Sequence, residues 1–326
     1  MGMKKRYWVA GAATAAVAAK LLLRPRDVDW RTNRELVFHS EYSRFANVNG
    51  QRVHFQDGGD LDGVPLLLIH GFASSTLVWS KVFLPLAEAG FRVIALDLLG
   101  HGYSEKPRQA DYTIETQAAM IVGLLDKLEI SSAIVVGSSY GGAVAATCAL
   151  DYPDRVEKLV LVGAVSNNDP RRFALMRLFG SPLVGDVIAP LLIGSRRLLR
   201  MRMKRVYDRH SWVLDESRVE ARHRPLRTRA TQRAIIRTVR RWNAERVSSD
   251  AHRITQPTLL VWGETDQEVP LRNGKRLQQE IAGSRLMIFR ECGHLPHEEY
   301  PDAFAHLLAH FCAPELDASQ PAVAAG

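Results

Sequence analysis

Ala133-Ile134-Val135-Val136-Gly137-Ser138-Ser139-Tyr140-Gly141-Gly142-Ala143-Val144-Ala145-Ala146 is the stretch that decides the fold. It opens with a short apolar run rich in β-branched residues and closes with small residues, so it reads as buried strand, sharp turn and helix. A serine at the apex of such a turn sits in a strained backbone with its hydroxyl exposed. Glycines at 137 and 141 are needed there, because a β-carbon at either would collide with the neighbouring strand or helix. The Tyr140 N–H then lies at a helix N-terminus, where it can face a developing negative charge. A bare Gly-x-Ser-x-Gly recurs by chance; the strand before it and the helix after it give it meaning. Ser139 is the expected nucleophile.

A serine hydroxyl at its free pKa is a weak nucleophile. An imidazole must take its proton, and a carboxylate must hold that imidazole in the right tautomer. Downstream, the β-rich run Thr258–Trp262 leads into a loop carrying Glu264, Asp266 and Glu268 ahead of Val269-Pro270. The next such run, Leu286–Phe289, precedes Cys292-Gly293-His294-Leu295-Pro296. Either glutamate could be a solvated charge or the acid itself, and His297 could stand in for His294. Upstream, Pro65–Ile69 reads as a buried strand followed by His70-Gly71-Phe72-Ala73-Ser74, and Arg92–Leu96 runs into Asp97-Leu98-Leu99-Gly100-His101-Gly102-Tyr103-Ser104. Asp97 is expected to bond backbone amides, and His70 and His101 to serve as hydrogen-bonded scaffold.

These motifs, taken in chain order between about Phe45 and Phe311, resemble the α/β-hydrolase family of esterases, lipases and carbon–carbon-bond hydrolases. The resemblance implies an α/β fold with a mostly parallel central sheet, helices on both faces and an inserted helical cap. It also implies that the acid and the histidine follow the serine, with Asp266 as the orienting acid and His294 as the base. The His-Gly-x segment would supply a second oxyanion N–H from Phe72, beside that of Tyr140. Removing one such donor typically costs on the order of 3–4 kcal/mol of transition-state binding. Members that open epoxides or carbon–halogen bonds carry aspartate at the apex, where this chain has Ser139. The implied activity is hydrolysis of a carboxylic ester with an apolar part, lipid esters included. Cleavage of a carbon–carbon bond in a vinylogous diketone, thioester cleavage and acyl transfer would use the same trio, and a non-catalytic ligand-binding protein could retain the pocket. No glycine-rich phosphate loop or metal-ligand spacing is present in the sequence, so no cofactor or metal is expected. Three scattered cysteines, Cys148, Cys292 and Cys312, form no disulfide framework.

At 326 residues and 46% hydrophobic content the chain can bury a large core. Apolar runs alternate with helical patterns from Pro65 onward, which is the signature of a parallel sheet. The hydrolase core is expected at 40–164 and 251–312, a helical cap at 165–250 and a disordered tail at 313–326. Charge separates the two parts. Arg171–Val247 holds 20 Lys and Arg against 6 Asp and Glu, whereas the remainder holds 23 basic and 29 acidic residues. Arg229, Arg233, Arg237 and Arg241 recur every fourth residue beside Ile235, Ile236, Val239 and Trp242, and Arg196–Arg205 interleaves six basic residues with leucine and methionine. A basic amphipathic surface suits an anionic membrane, and an arginine-rich solvated lid is the alternative. No nucleic-acid-binding fold is evident. Lys4-Lys5-Arg6 precedes the alanine-rich run Tyr7–Ala19 and then Leu21-Leu22-Leu23, so residues 1–26 are read as an N-terminal membrane anchor or a secretory signal, with orientation unreadable.

Overall fold

Strands form where the apolar runs lie. In a computed structural model describing residues 22–168, 178–182, 184–207, 210 and 213–313, eight strands among the described residues make one sheet. Strands β1 (Ser43–Val48) and β2 (Gln51–Gly59) form a hairpin whose turn residues Asn49 and Gly50 have φ of 50° and 78°, as a two-residue turn of this hand requires. Then come β3 (Pro65–Ile69), β4 (Arg92–Leu96), β5 (Ala133–Ser138), β6 (Val156–Val162), β7 (Thr258–Gly263) and β8 (Arg285–Phe289). Their spatial order is β1-β2-β4-β3-β5-β6-β7-β8. β2 is antiparallel to both its neighbours, and every later pair is parallel.

The longer helices are α1 (Ser80–Glu88), α2 (Ile114–Lys127), α3 (Tyr140–Asp151), α4 (Arg196–Val206), α5 (Glu216–Leu226), α6 (Arg229–Arg240), α7 (Leu271–Glu280) and α8 (Pro301–Cys312). Alternate residues of each central strand feed opposite cores. Leu67, Ile69 and Val135 pack with Ile121 and Leu124 of α2 and Val144 of α3. Leu66, Leu68, Ile134 and Val136 pack with Phe83 and Leu86 of α1 and Phe304 and Leu308 of α8. Both faces being covered, these strands must be apolar at every position.

The chain between β6 and β7 carries α4, α5 and α6. Helix α6 buries Ala234, Ile235 and Ile236, and Ala234 lies against the glycine turn at Gly100. The sequence pattern of its arginine row suits either a membrane-facing or a solvated side, but in the fold Arg233 and Arg237 point at the core. Arg233 and Arg237 donate to the carbonyls of Lys106 and Ala110, and Arg241 pairs with Asp111 at 3.2 Å. The reason is geometric: the apolar stripe that docks α6 carries its arginines along its edges, within reach of the loop below. Among the described residues no helix is long and apolar enough to cross a membrane. Residues 1–21 of the expected N-terminal segment and 314–326 of the expected tail lie outside the described residues, as do Arg171, Arg172, Arg177 and Arg209 of the basic insertion.

Candidate active site

Ser139 joins β5 to α3 with φ 56° and ψ −117°. A serine held there stores roughly 1–3 kcal/mol of strain, so its surroundings must over-determine it. They do. Its N–H donates to Val162 O at 2.9 Å, and its carbonyl accepts from Gly142 and Val165, each at 3.0 Å. A β-carbon on Gly137 would meet Gly142 Cα at 2.7 Å, and one on Gly141 would meet His70 O at 2.5 Å, so only glycine lets these backbones cross. Tyr140 is the first residue of α3, where an N–H has no intrahelical acceptor.

Asp266 follows β7 and His294 follows β8, so adjacent parallel strands bring them together. His294 Nδ1–H donates to Asp266 Oδ2 at 2.7 Å, leaving Nε2 as the acceptor nitrogen. The other oxygen, Asp266 Oδ1, accepts the amides of Glu268 and Val269 at 2.8 Å each. Burial disfavours the imidazolium, but the Asp266 carboxylate, its hydrogen bond and Glu268 outweigh it and raise the His294 pKa above 6.5. Glu264 is exposed and accepts the Glu291 amide at 3.2 Å. His297 is fully buried, its ring stacked 4.2 Å from that of Trp79, and burial lowers its pKa to about 3.

Ser139, His294 and Phe72 share a cavity of about 90 Å³ with Gly71, Glu268 and, from the cap, Leu199, Arg202, Met203 and Leu226. Among the described residues no hydrogen bond joins Ser139 Oγ to the imidazole; such bonds often tighten only around substrate. Gly163 leaves room for the ring: a β-carbon there would lie 3.1 Å from His294 Nδ1. Trp242 lies over the aromatic rings of Tyr140 and Phe72, at 5.1 and 5.6 Å between centroids.

Residues 64–301 match the family model for the alpha/beta hydrolase fold. The chain belongs to the α/β-hydrolase family. It is similar to 2-hydroxymuconate semialdehyde hydrolase of Pseudomonas sp. (strain CF600), 33% identical over 285 residues that cover 86% of this chain and 96% of that protein. A second relative is 2-hydroxy-6-oxo-2,4-heptadienoate hydrolase of Pseudomonas putida, 31% identical across 85% of this chain and 98% of that protein. Among solved structures, a membrane phospholipase A described as a bacterial virulence factor superposes with a TM-score of 0.72 at 25% identity, covering 94% of this chain and 98% of that one.

This α/β hydrolase also holds a second Ser–His–Asp array that sequence reading did not foresee. Ser43 Oγ lies 3.1 Å from His54 Nε2, and His54 Nδ1–H donates to Asp97 Oδ2 at 2.7 Å. His54 has no exposed surface and sits among the rings of Trp30, Phe45 and Tyr103, so the array braces the sheet edge. Asp97 also accepts the amides of Thr76 and Tyr103, each at 2.8 Å. His70 donates to Gly71 O and accepts from Leu98 N, while His101 donates to Leu99 O. Equally unforeseen is Glu298, buried and paired with Arg218 and Arg222 of α5, with Tyr207 O–H donating to it at 2.7 Å. Glu298 and its arginines stand some 80 positions apart and read locally as solvated charge.

Proposed function

We propose that this α/β hydrolase is a serine hydrolase that cleaves carboxylic esters of apolar substrates through an acyl-enzyme on Ser139. The observation that carries it is the Asp266–His294 pair facing the same cavity as a serine held in the strained turn. Asp266 holds Nδ1–H, so His294 Nε2 takes the Ser139 proton as Oγ attacks the carbonyl. The N–H groups of Phe72 and Tyr140 hold the oxyanion, His294 protonates the leaving alcohol, and water then releases the acyl group by the reverse sequence. Val78, Leu199, Met203, Val206, Leu226 and Leu295 give the cavity an apolar wall suited to an acyl or alcohol chain. The test is turnover of p-nitrophenyl esters of increasing chain length by wild-type and Ser139→Ala protein. Saturable hydrolysis lost in the variant is expected; equal rates in both would reject the reading.

A second reading is hydrolysis of a carbon–carbon bond in a vinylogous diketone with the same trio. The names of the two Pseudomonas relatives support it, and Arg202 in the cavity wall would suit an acidic substrate. Turnover of a dienone with no turnover of any ester would favour it.

For location, we propose attachment to an anionic membrane through the N-terminal segment and the exposed face of the cap. Leu22 and Leu23 are 71% and 82% exposed, and the next residues are fastened to the cap: Pro25 O and Arg26 O accept the amides of Arg229 and Ala230. Leu192, Leu198 and Met201 are exposed on the same insertion, beside exposed Arg197, Lys204 and Arg205.

A further inference from the structure

Three consecutive amides around the base are all tied down. Gly293 N–H donates to Glu299 Oε2 at 2.9 Å, His294 N–H to Val206 O at 2.9 Å, and Leu295 N–H to Glu299 Oε1 at 3.1 Å. Glu299 belongs to the short helix Pro296–Glu299 and is 3% exposed; its two carboxylate oxygens reach back to bracket the histidine. Val206 is the last residue of α4, whose earlier residues Leu199, Arg202 and Met203 line the cavity. The cap therefore supplies the middle bond and the core the outer two. Gly293 is required for this approach, since a β-carbon there would collide with Val206 O and lie 3.2 Å from Glu299 Oε1. Leu295 packs with Met203, Val206 and Tyr207, so the loop is also held by apolar contact with the end of α4.

We propose that Glu299 is a positioning residue for His294, and that the cap completes the fixation through the Val206 carbonyl. The proposal rests on the reading of His294 as the base. A carboxylate is the group that fits, because it accepts at both oxygens while only donors face it: the two amides, His210 Nδ1–H at 3.0 Å and the Cys292 thiol. A glutamine has nearly the same shape, but its amide end would point N–H at a facing N–H. It therefore loosens the loop while preserving bulk. Because the middle bond comes from the cap, displacement of α4 frees the amide of the base itself, so a closed cap and an aimed imidazole go together.

The test reads the second-order rate of fluorophosphonate labelling at Ser139, which needs the base but not the natural substrate. Glu299→Ala is expected to slow labelling by about 100-fold, the scale of a misplacement near 1 Å, with Glu299→Gln in between. KM for a p-nitrophenyl ester should move by less than about threefold while kcat falls, the pattern of lost transition-state rather than ground-state interactions. Amide exchange in Glu299→Gln should quicken at residues 293 and 295, a readout that general instability would not confine to them. Gly293→Ala, which drives a β-carbon at the Val206 carbonyl, should slow labelling as well. Wild-type labelling by both Glu299 variants, or slowed labelling in Glu299→Gln with exchange at 293–295 unchanged, would overturn the proposal, as would wild-type labelling by Gly293→Ala for the cap's part. His294→Ala separates the two readings: wild-type labelling there would reject the base itself, whereas its loss beside intact Glu299 variants rejects only the positioning.

Discussion

His294 is pulled in two directions, and the balance sets a pH profile. Burial favours the neutral ring, while Asp266, the hydrogen bond between them and then Glu268 favour the cation and raise the pKa above 6.5. A general base must be neutral to accept the serine proton, so kcat/KM is expected to rise with pH through a midpoint above 6.5 and to level off beyond it. Glu268 lines the cavity without bonding the ring, so Glu268→Gln should lower that midpoint and leave the shape of the curve intact. A midpoint at or below 6.5 in the wild type, or one unmoved in Glu268→Gln, would contradict this electrostatic account of the base. Ser139 needs the opposite kind of environment. Its conformation is unfavourable by itself and persists because backbone hydrogen bonds and two crossing glycines leave it no alternative.

Among the elements, the parallel strands and the turn at Ser139 were legible because their causes are local. A strand covered on both faces shows an unbroken apolar run, as Leu66–Ile69 and Ile134–Val136 do, and a crossing backbone shows glycine. Strand β8 was fainter: at the sheet edge its Met287 and Ile288 stay 44% and 38% exposed. The arginines of α5 and α6 were not legible, since their partners are set by how the cap folds back onto the core. Glu298 measures what that docking does. Burial alone would raise its pKa, but Arg222 and Arg218 lower it from 4.5 to about 2. A depressed carboxylate contributes stability above its unfolded pKa and loses it as pH falls through the folded value. Roughly 3 kcal/mol should therefore fade between about pH 4.5 and 2. Thermal melts across that range should show the fall in the wild type and a flatter course in Glu298→Gln. The variant should be less stable at pH 7 by about 3–5 kcal/mol, because two arginines stay buried without their carboxylate. Parallel pH courses would assign the acid sensitivity to other carboxylates.

Over the whole molecule, charge and attachment point to the same side. The cap carries the basic excess while the rest of the chain is net acidic, so an anionic surface should draw the molecule in cap first. The arm from Leu22 onward is fastened at the start of α6 and bridged to the core by Asp27 and Lys106 at 3.1 Å, which sets Leu22 to Asp27 beside the cap. Arg233 and Arg237 of α6 are occupied by core carbonyls and Arg240 by Gly180 O and Asp186, so the burden falls on α4 with Arg197, Lys204 and Arg205 around Leu198 and Met201. Each basic residue near an anionic leaflet contributes about 1 kcal/mol, so three give roughly 100-fold in binding. That attraction is electrostatic and should fail at 1 M salt, where the screening length is about 3 Å. Full-length protein is expected to sediment with vesicles containing phosphatidylserine at both low and high salt. Protein beginning at Leu22 is expected to bind them only at low salt and to lose that binding when Arg197, Lys204 and Arg205 become glutamine. If the shortened protein ignores the vesicles at low salt while the full chain binds, the cap takes no part and the N-terminal segment acts alone; if neither binds, the membrane reading fails altogether.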